Sequence, residues 1–117
     1  MGSFDHEKLQ VYQLSIDFVV LGDIIVERLP KGRAYLADQL QRASTSVPLN
    51  IAEGAGEYSR LEKSRFYRMA KRSATECAAI LDVCDRLRLI EQSLYEKGRE
   101  ILVHVVNMLT KLAKTAE

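Results

Sequence analysis

The sequence predicts an all-α fold, an antiparallel up-down-up-down four-helix bundle, and three observations carry that prediction. Apolar residues recur at three- and four-residue spacing through most of the chain. Six glycines and two prolines are too few for the many turns of a β-sandwich or barrel. The interruptions of the helical pattern are short, so consecutive helices are expected to run antiparallel as neighbours. With 117 residues and no linker, repeat or low-complexity stretch, residues 1–117 form one domain.

The first helix is expected from Asp5, a good N-cap, to about Leu29, where Pro30-Lys31-Gly32 stops it. The opening Met-Gly-Ser resembles a cloning remnant, and residues 1–4 are expected to be disordered or non-native. Leu9, Tyr12, Ile16 and Val20 form one apolar stripe; Leu14, Phe18, Leu21 and Ile25 form a second. Together they are wider than one core face needs. The excess points to another subunit, with Leu14, Phe18, Leu21 and Ile25 as the candidate contact.

The second helix is expected from about Arg33 to Gly54, with Leu36, Leu40, Ala43, Val47 and Ile51 facing inward. Pro48 falls inside this pattern and removes one backbone donor, so a kink near residues 44–48 is expected rather than a break. Gly54-Ala55-Gly56 ends the helix. Ser59 to Glu62 reads as a capping box that starts a third helix, expected to reach Leu89. Its core stripe is Phe66, Met69 or Ala70, Ser73, Cys77, Ile80, Cys84 and Leu87. A fourth helix follows from about Ser93 to Ala116, with Ile101, Leu102, Val105, Leu109 and Leu112 facing in. Cys77 and Cys84 stand two turns apart, roughly 10 Å, too far for a disulfide. They read as small buried hydrophobes in a reducing compartment.

Polar residues interrupt the apolar pattern between helices 2 and 3. Arg42, Ser46, Asn50 and Glu53 step by four, four and three along one side of helix 2, and Ser73 and Glu76 share a face of helix 3. A buried glutamate needs a partner, and Arg42, Arg65 and Arg72 are available. The expected role is a polar network that sets the register of the two helices. Acid–base catalysis by Glu53 and Glu76 is the enzymatic alternative. A di-metal bundle wants Glu-x-x-His pairs, but His6 and His104 are the only histidines and neither fits. Neither a metal nor a cofactor is expected, and no Ser-His-Asp or Cys-His constellation has a suitable histidine.

Charge is unevenly distributed. The chain holds 17 basic and 16 acidic residues, a net charge of +1. Within residues 60–72, Arg60, Lys63, Arg65, Arg68, Lys71 and Arg72 face Glu62 alone, with Tyr58 and Tyr67 nearby. Arginines beside aromatics suit phosphate contact and base stacking, so these six are the candidate nucleic-acid-binding residues. The alternative is a solvated helix face whose arginines pair with Asp38, Glu53 and Glu57. With no N-terminal signal and no apolar run near 18 residues, a cytoplasmic, membrane-free protein is expected.

The run from Gln39 to Ser59, followed by Phe66 to Val83, resembles the four-helix-bundle proteins encoded in intervening sequences of bacterial 23S ribosomal RNA genes. The carrying residues are Arg42-Ala43, Ser46-Val47-Pro48 and Asn50-Ile51-Ala52-Glu53-Gly54, then Ser59, Phe66, Ala70, Ser73 and Glu76. Resemblance implies a homopentamer with no established activity. It also implies kinship with accessory proteins of diversity-generating retroelements, which are strongly basic pentamers that bind nucleic acid and a reverse transcriptase. No catalytic role carries over. The expected function is a non-enzymatic oligomeric bundle that binds RNA or DNA, or adapts an RNA-associated protein partner. The alternative is a structural or protein-interaction scaffold with no nucleic-acid role.

Overall fold

The computed structural model describes residues 2–116. Met1, part of the expected remnant, lies outside the described residues. A 3₁₀ turn, Asp5–Lys8, precedes α1 (Gln10–Arg28), α2 (Ala34–Ala55), α3 (Arg60–Arg86) and α4 (Gln92–Ala116). Among the described residues the helices pack α1 on α2, α2 on α3, α3 on α4, and α4 back on α1. That closed ring is a four-helix bundle in which each helix neighbours the next in sequence.

Helices α2 and α4 match their expected bounds to within one residue, while α1 and α3 depart from theirs for local reasons. The first begins at Gln10, because Leu9 is extended (φ −84°, ψ 123°) and separates it from the 3₁₀ turn. That turn is held on its own: the Phe4 N–H donates to Glu7 Oε1 at 2.9 Å, and His6 stacks on Phe4 and meets Tyr12 edge to face. Helix α2 runs unbroken through Pro48 and ends at Ala55. Helix α3 stops at Arg86, short of Leu89. There Leu89 N–H donates to Cys84 O and Arg88 N–H to Asp85 O, both at 2.9 Å. This is a Schellman turn, with Arg88 rather than glycine in the left-handed position at φ 58°.

The core stripe of α2 is as expected: Leu36, Leu40, Ala43, Val47 and Ile51 are all buried. On α1 the two stripes exchange roles. Phe18, Leu21 and Ile25 are 1%, 6% and 0% exposed, so three of the four residues expected at a subunit contact line the chain's own core. Leu14 is half-buried beside them. Small residues select this face. Gly22 lies against Ser44 of α2, with 3.8 Å between the site of an added Cβ and Ser44 Oγ, so the helices approach closely there. On the other stripe, Leu9, Tyr12 and Ile16 are half-buried and Val20 is 58% exposed.

On α3, Ala70, Cys77, Ile80 and Cys84 are buried as expected, while the first turns present Tyr67 rather than Phe66 to the core. The helix's core side is Ser64, Tyr67, Ala70, Ala74, Cys77, Ile80, Leu81 and Cys84. Phe66 and Ser73 are half-buried, while Met69 and Leu87 are exposed. On α4, Leu102, Val105 and Leu109 are buried as expected, with Ile101 and Leu112 half-buried at the margins. A fully buried Leu or Ile contributes about 1.5–3 kcal/mol relative to exposure, so these stripes dominate the fold's stability. Among the described residues no helix is long and apolar enough to cross a membrane.

Candidate nucleic-acid interface

The candidate surface begins at the corner between α2 and α3. Ser59 caps α3, its Oγ accepting from Glu62 N–H at 3.3 Å. Glu62 does not complete the expected capping box. Its carboxylate instead takes Arg65 Nε at 2.9 Å and Arg65 Nη2 at 2.8 Å. A charged partner three residues along the helix holds it more strongly than a neutral backbone donor.

Two residues of the expected binding surface turn inward. Lys63 donates from Nζ to Gly54 O at 2.8 Å and to Ala55 O at 3.1 Å. It therefore supplies positive charge and hydrogen bonds to the C-terminal carbonyls of α2, where a helix end is electronegative. Its Nζ also lies 5.9 Å from the Tyr67 ring centroid. Tyr67 itself is buried, so it has no ring face to offer a base. Gly54 makes room for it: an added Cβ would lie 2.9 Å from Tyr67 Cε1 and 3.1 Å from Phe66 Cβ. The spacing of charges along the sequence could not show this. The signal was the short turn, which sets the first turn of α3 beside the last carbonyls of α2.

The remaining basic residues point outward along α3. A shallow groove of about 670 Å³ runs over this face, lined by Arg65, Arg68, Lys71, Arg72 and Glu76 among others. Arg65 packs its guanidinium 4.8 Å from the Phe66 ring centroid. Its hydrogen bond to Glu62 raises its pKa further, so it is a fixed cation that already has an anion beside it. Arg68 donates from Nη1 to Ser64 Oγ at 2.7 Å, and Ser64 Oγ donates to Ala113 O of α4 at 3.1 Å. Arg60, Lys71 and Arg72 make no ion pair among the described residues. The outer face therefore combines braced arginines with open cations, which suits a polyanion with regularly spaced charges.

The polar seam exists, but with fewer members than expected. Ser46 Oγ and Ser73 Oγ are 2.9 Å apart across α2 and α3. Asn50 Nδ2 donates to Ser46 O and to Ser46 Oγ, each at 2.9 Å. Arg42, Glu53 and Glu76 are exposed, and among the described residues neither glutamate forms an ion pair with Arg42, Arg65 or Arg72. Neutral groups can be half-buried at modest cost once hydrogen-bonded, whereas a carboxylate stays at the rim. Glu53 and Glu76 are not brought together. Glu53 lines a groove with Phe4, Asp5, His6 and Glu57, while Glu76 lines another with Ser46, Asn50, Met69, Arg72 and Ser73. Paired-carboxylate chemistry has no support in that arrangement.

Cys77 and Cys84 are free and buried. Burial, with Glu76 nearby, pushes the Cys77 thiol up to about 12, and burial raises that of Cys84. Among the described residues no three His, Cys, Asp or Glu side chains cluster to hold a metal ion.

Comparison with known proteins finds a matching family model and solved structures of similar fold. A family model described as 23S rRNA-intervening sequence protein matches residues 7–111. A crystal structure from Bacteroides thetaiotaomicron, of a protein of unknown function in the S23 ribosomal protein family, superposes with a TM-score of 0.82. The two sequences are 23% identical, and the alignment covers 89% of this chain and 98% of that one. Among curated proteins none matches.

Proposed function

The chain belongs to the 23S rRNA-intervening sequence protein family, and from that premise we propose that it is a non-enzymatic, oligomeric bundle that binds RNA through the outer face of α3. One observation carries the proposal: the groove on that face is lined by Arg65, Arg68, Lys71 and Arg72 beside a single carboxylate, Glu76, and Lys71 and Arg72 form no ion pair among the described residues. Phosphates would neutralise them and release counterions.

Repetition of the face around an oligomer would multiply a modest patch. The resemblance implies a homopentamer, and one apolar edge open for it lies outside the expected contact stripe. It is Val20 and Ile24, exposed on α1 beside Asp17, Lys97 and Ile101 in a hollow of about 450 Å³. Light scattering at micromolar concentration should give a mass near five subunits; a single-subunit mass removes the oligomer.

The binding test is the double variant Lys71→Glu with Arg72→Glu against a structured ribosomal RNA fragment. Loss of binding at unchanged thermal stability supports the proposal. Unchanged binding removes α3 from it and leaves the scaffold alternative, in which the bundle engages proteins only.

A further inference from the structure

The polar seam opens onto the arginine groove. A hollow of about 380 Å³ is lined by Ser46, Asn50, Met69, Arg72, Ser73 and Glu76, and the two grooves share Met69, Arg72 and Glu76. Its chemistry differs from that of the arginine face. Two serine hydroxyls carry two protons, and their mutual hydrogen bond uses one. The other is left to donate. Asn50 is fixed by its Nδ2 contacts to Ser46, and its Oδ1 accepts from no described residue. Glu76 contributes a carboxylate with no ion pair among the described residues, and Arg72 a guanidinium likewise. Met69, at 36% exposure, contributes a polarizable apolar wall.

The ligand class follows by comparing charge and shape. A lone phosphate is repelled by Glu76. A metal ion is repelled by Arg72 and would find one carboxylate. A neutral, flat group with both donors and acceptors along one edge fits all five contributions. A nucleobase has that edge, and Met69 can cover its face. The carboxylate selects among bases, because it accepts only. Guanine presents two adjacent N–H donors, N1 and N2, on its Watson–Crick edge, which is the pattern a carboxylate accepts in parallel. That edge is free only in single strands, loops and bulges.

We propose that the seam between α2 and α3 is a base pocket that takes an unpaired guanine of an RNA whose phosphates lie on the α3 arginines. Glu76 accepts from N1–H and N2–H, Arg72 and the serine hydroxyl donate to the base O6 or to phosphate oxygens, and Met69 covers one face. The pocket rests on the RNA proposal above, which supplies the backbone contacts but no base preference.

The test separates the two. Single-stranded 12-mers with one central guanine, inosine or adenine in a uridine background are titrated against the wild-type chain and Glu76→Gln by fluorescence anisotropy. A good bidentate base contact discriminates by roughly 10- to 100-fold. The guanine strand should bind about that much more tightly than the adenine strand. Inosine, lacking the N2 amino group, should fall between them. Glu76→Gln should collapse the ratio while leaving the salt dependence and the thermal midpoint in place. Equal binding of all three strands, or a ratio unchanged in Glu76→Gln, overturns the base pocket and leaves the arginine face standing. Absence of binding to every strand at low salt overturns both.

Discussion

The inner and outer faces of the first half of α3 are built from the same kinds of residue and do different things. Lys63 and Tyr67 point inward, where the lysine caps α2 and the ring fills the space left by Gly54. Lys71 and Arg72 point outward into an open groove with no anionic partner among the described residues. A run of positive charge in a sequence is therefore two populations, and only one of them is free to meet a ligand. Structural cations sit beside backbone carbonyls; available cations sit beside solvent.

Breaking the inner face should have the largest effect on stability. Gly54→Ala places a methyl 2.9 Å from the buried Tyr67 ring and 3.1 Å from Phe66 Cβ. Overpacking of this kind costs about 1–3 kcal/mol, more than the helix propensity alanine brings. Chemical denaturation should show the loss, and Gly56→Ala, whose nearest atom is at 3.6 Å, should not. Next comes Lys63→Met, which keeps the stem and removes the donor from two helix-end carbonyls. It should cost about 1 kcal/mol and leave RNA affinity nearly unchanged. A large drop in affinity with no loss of stability would place Lys63 on the outer face after all.

The far end of α3 sharpens the contrast in the opposite direction. Arg88 occupies a left-handed position that glycine prefers, so Arg88→Gly should stabilise the fold by about 0.5–1 kcal/mol. Near neutral pH the smallest effect is expected from Cys77, whose contribution appears only in alkali. Its folded thiol holds a proton up to about 12, against 9.0 for a free thiol. Between those values the folded chain binds more protons than the unfolded one, so stability falls as pH rises above about 9. Alkylation at pH 9 should be slow in the native protein and fast in denaturant.

Much of the fold was legible because α2 carries one unambiguous stripe, Leu36 to Ile51, and because each turn is short. The face of α1 was misassigned because both its stripes are apolar. Ser15 and Gly22 marked the inner one, since small residues lie where helices approach closely. On α3 the expected stripe holds at Ala70, Cys77, Ile80 and Cys84 but is off by one residue at its start, where Phe66 and Tyr67 are adjacent aromatics. Gly54, on another helix, decides which of them is buried. The seam was legible in Ser46, Asn50 and Ser73, but the charged residues grouped with them obey solvation and stay at the rim. Lys63 was beyond periodicity altogether, since its partners are backbone atoms.

The most direct test of the central claim is the salt dependence of binding to a structured ribosomal RNA fragment, for the wild-type chain and for Lys71→Glu with Arg72→Glu. Each neutralised phosphate contributes about 0.7–0.9 to the slope of log affinity against log salt. A wild-type slope of several units, reduced by at least about 1.5 in the variant at equal thermal stability, is the predicted result. Absence of binding at low salt, or a slope the variant leaves unchanged, would contradict it.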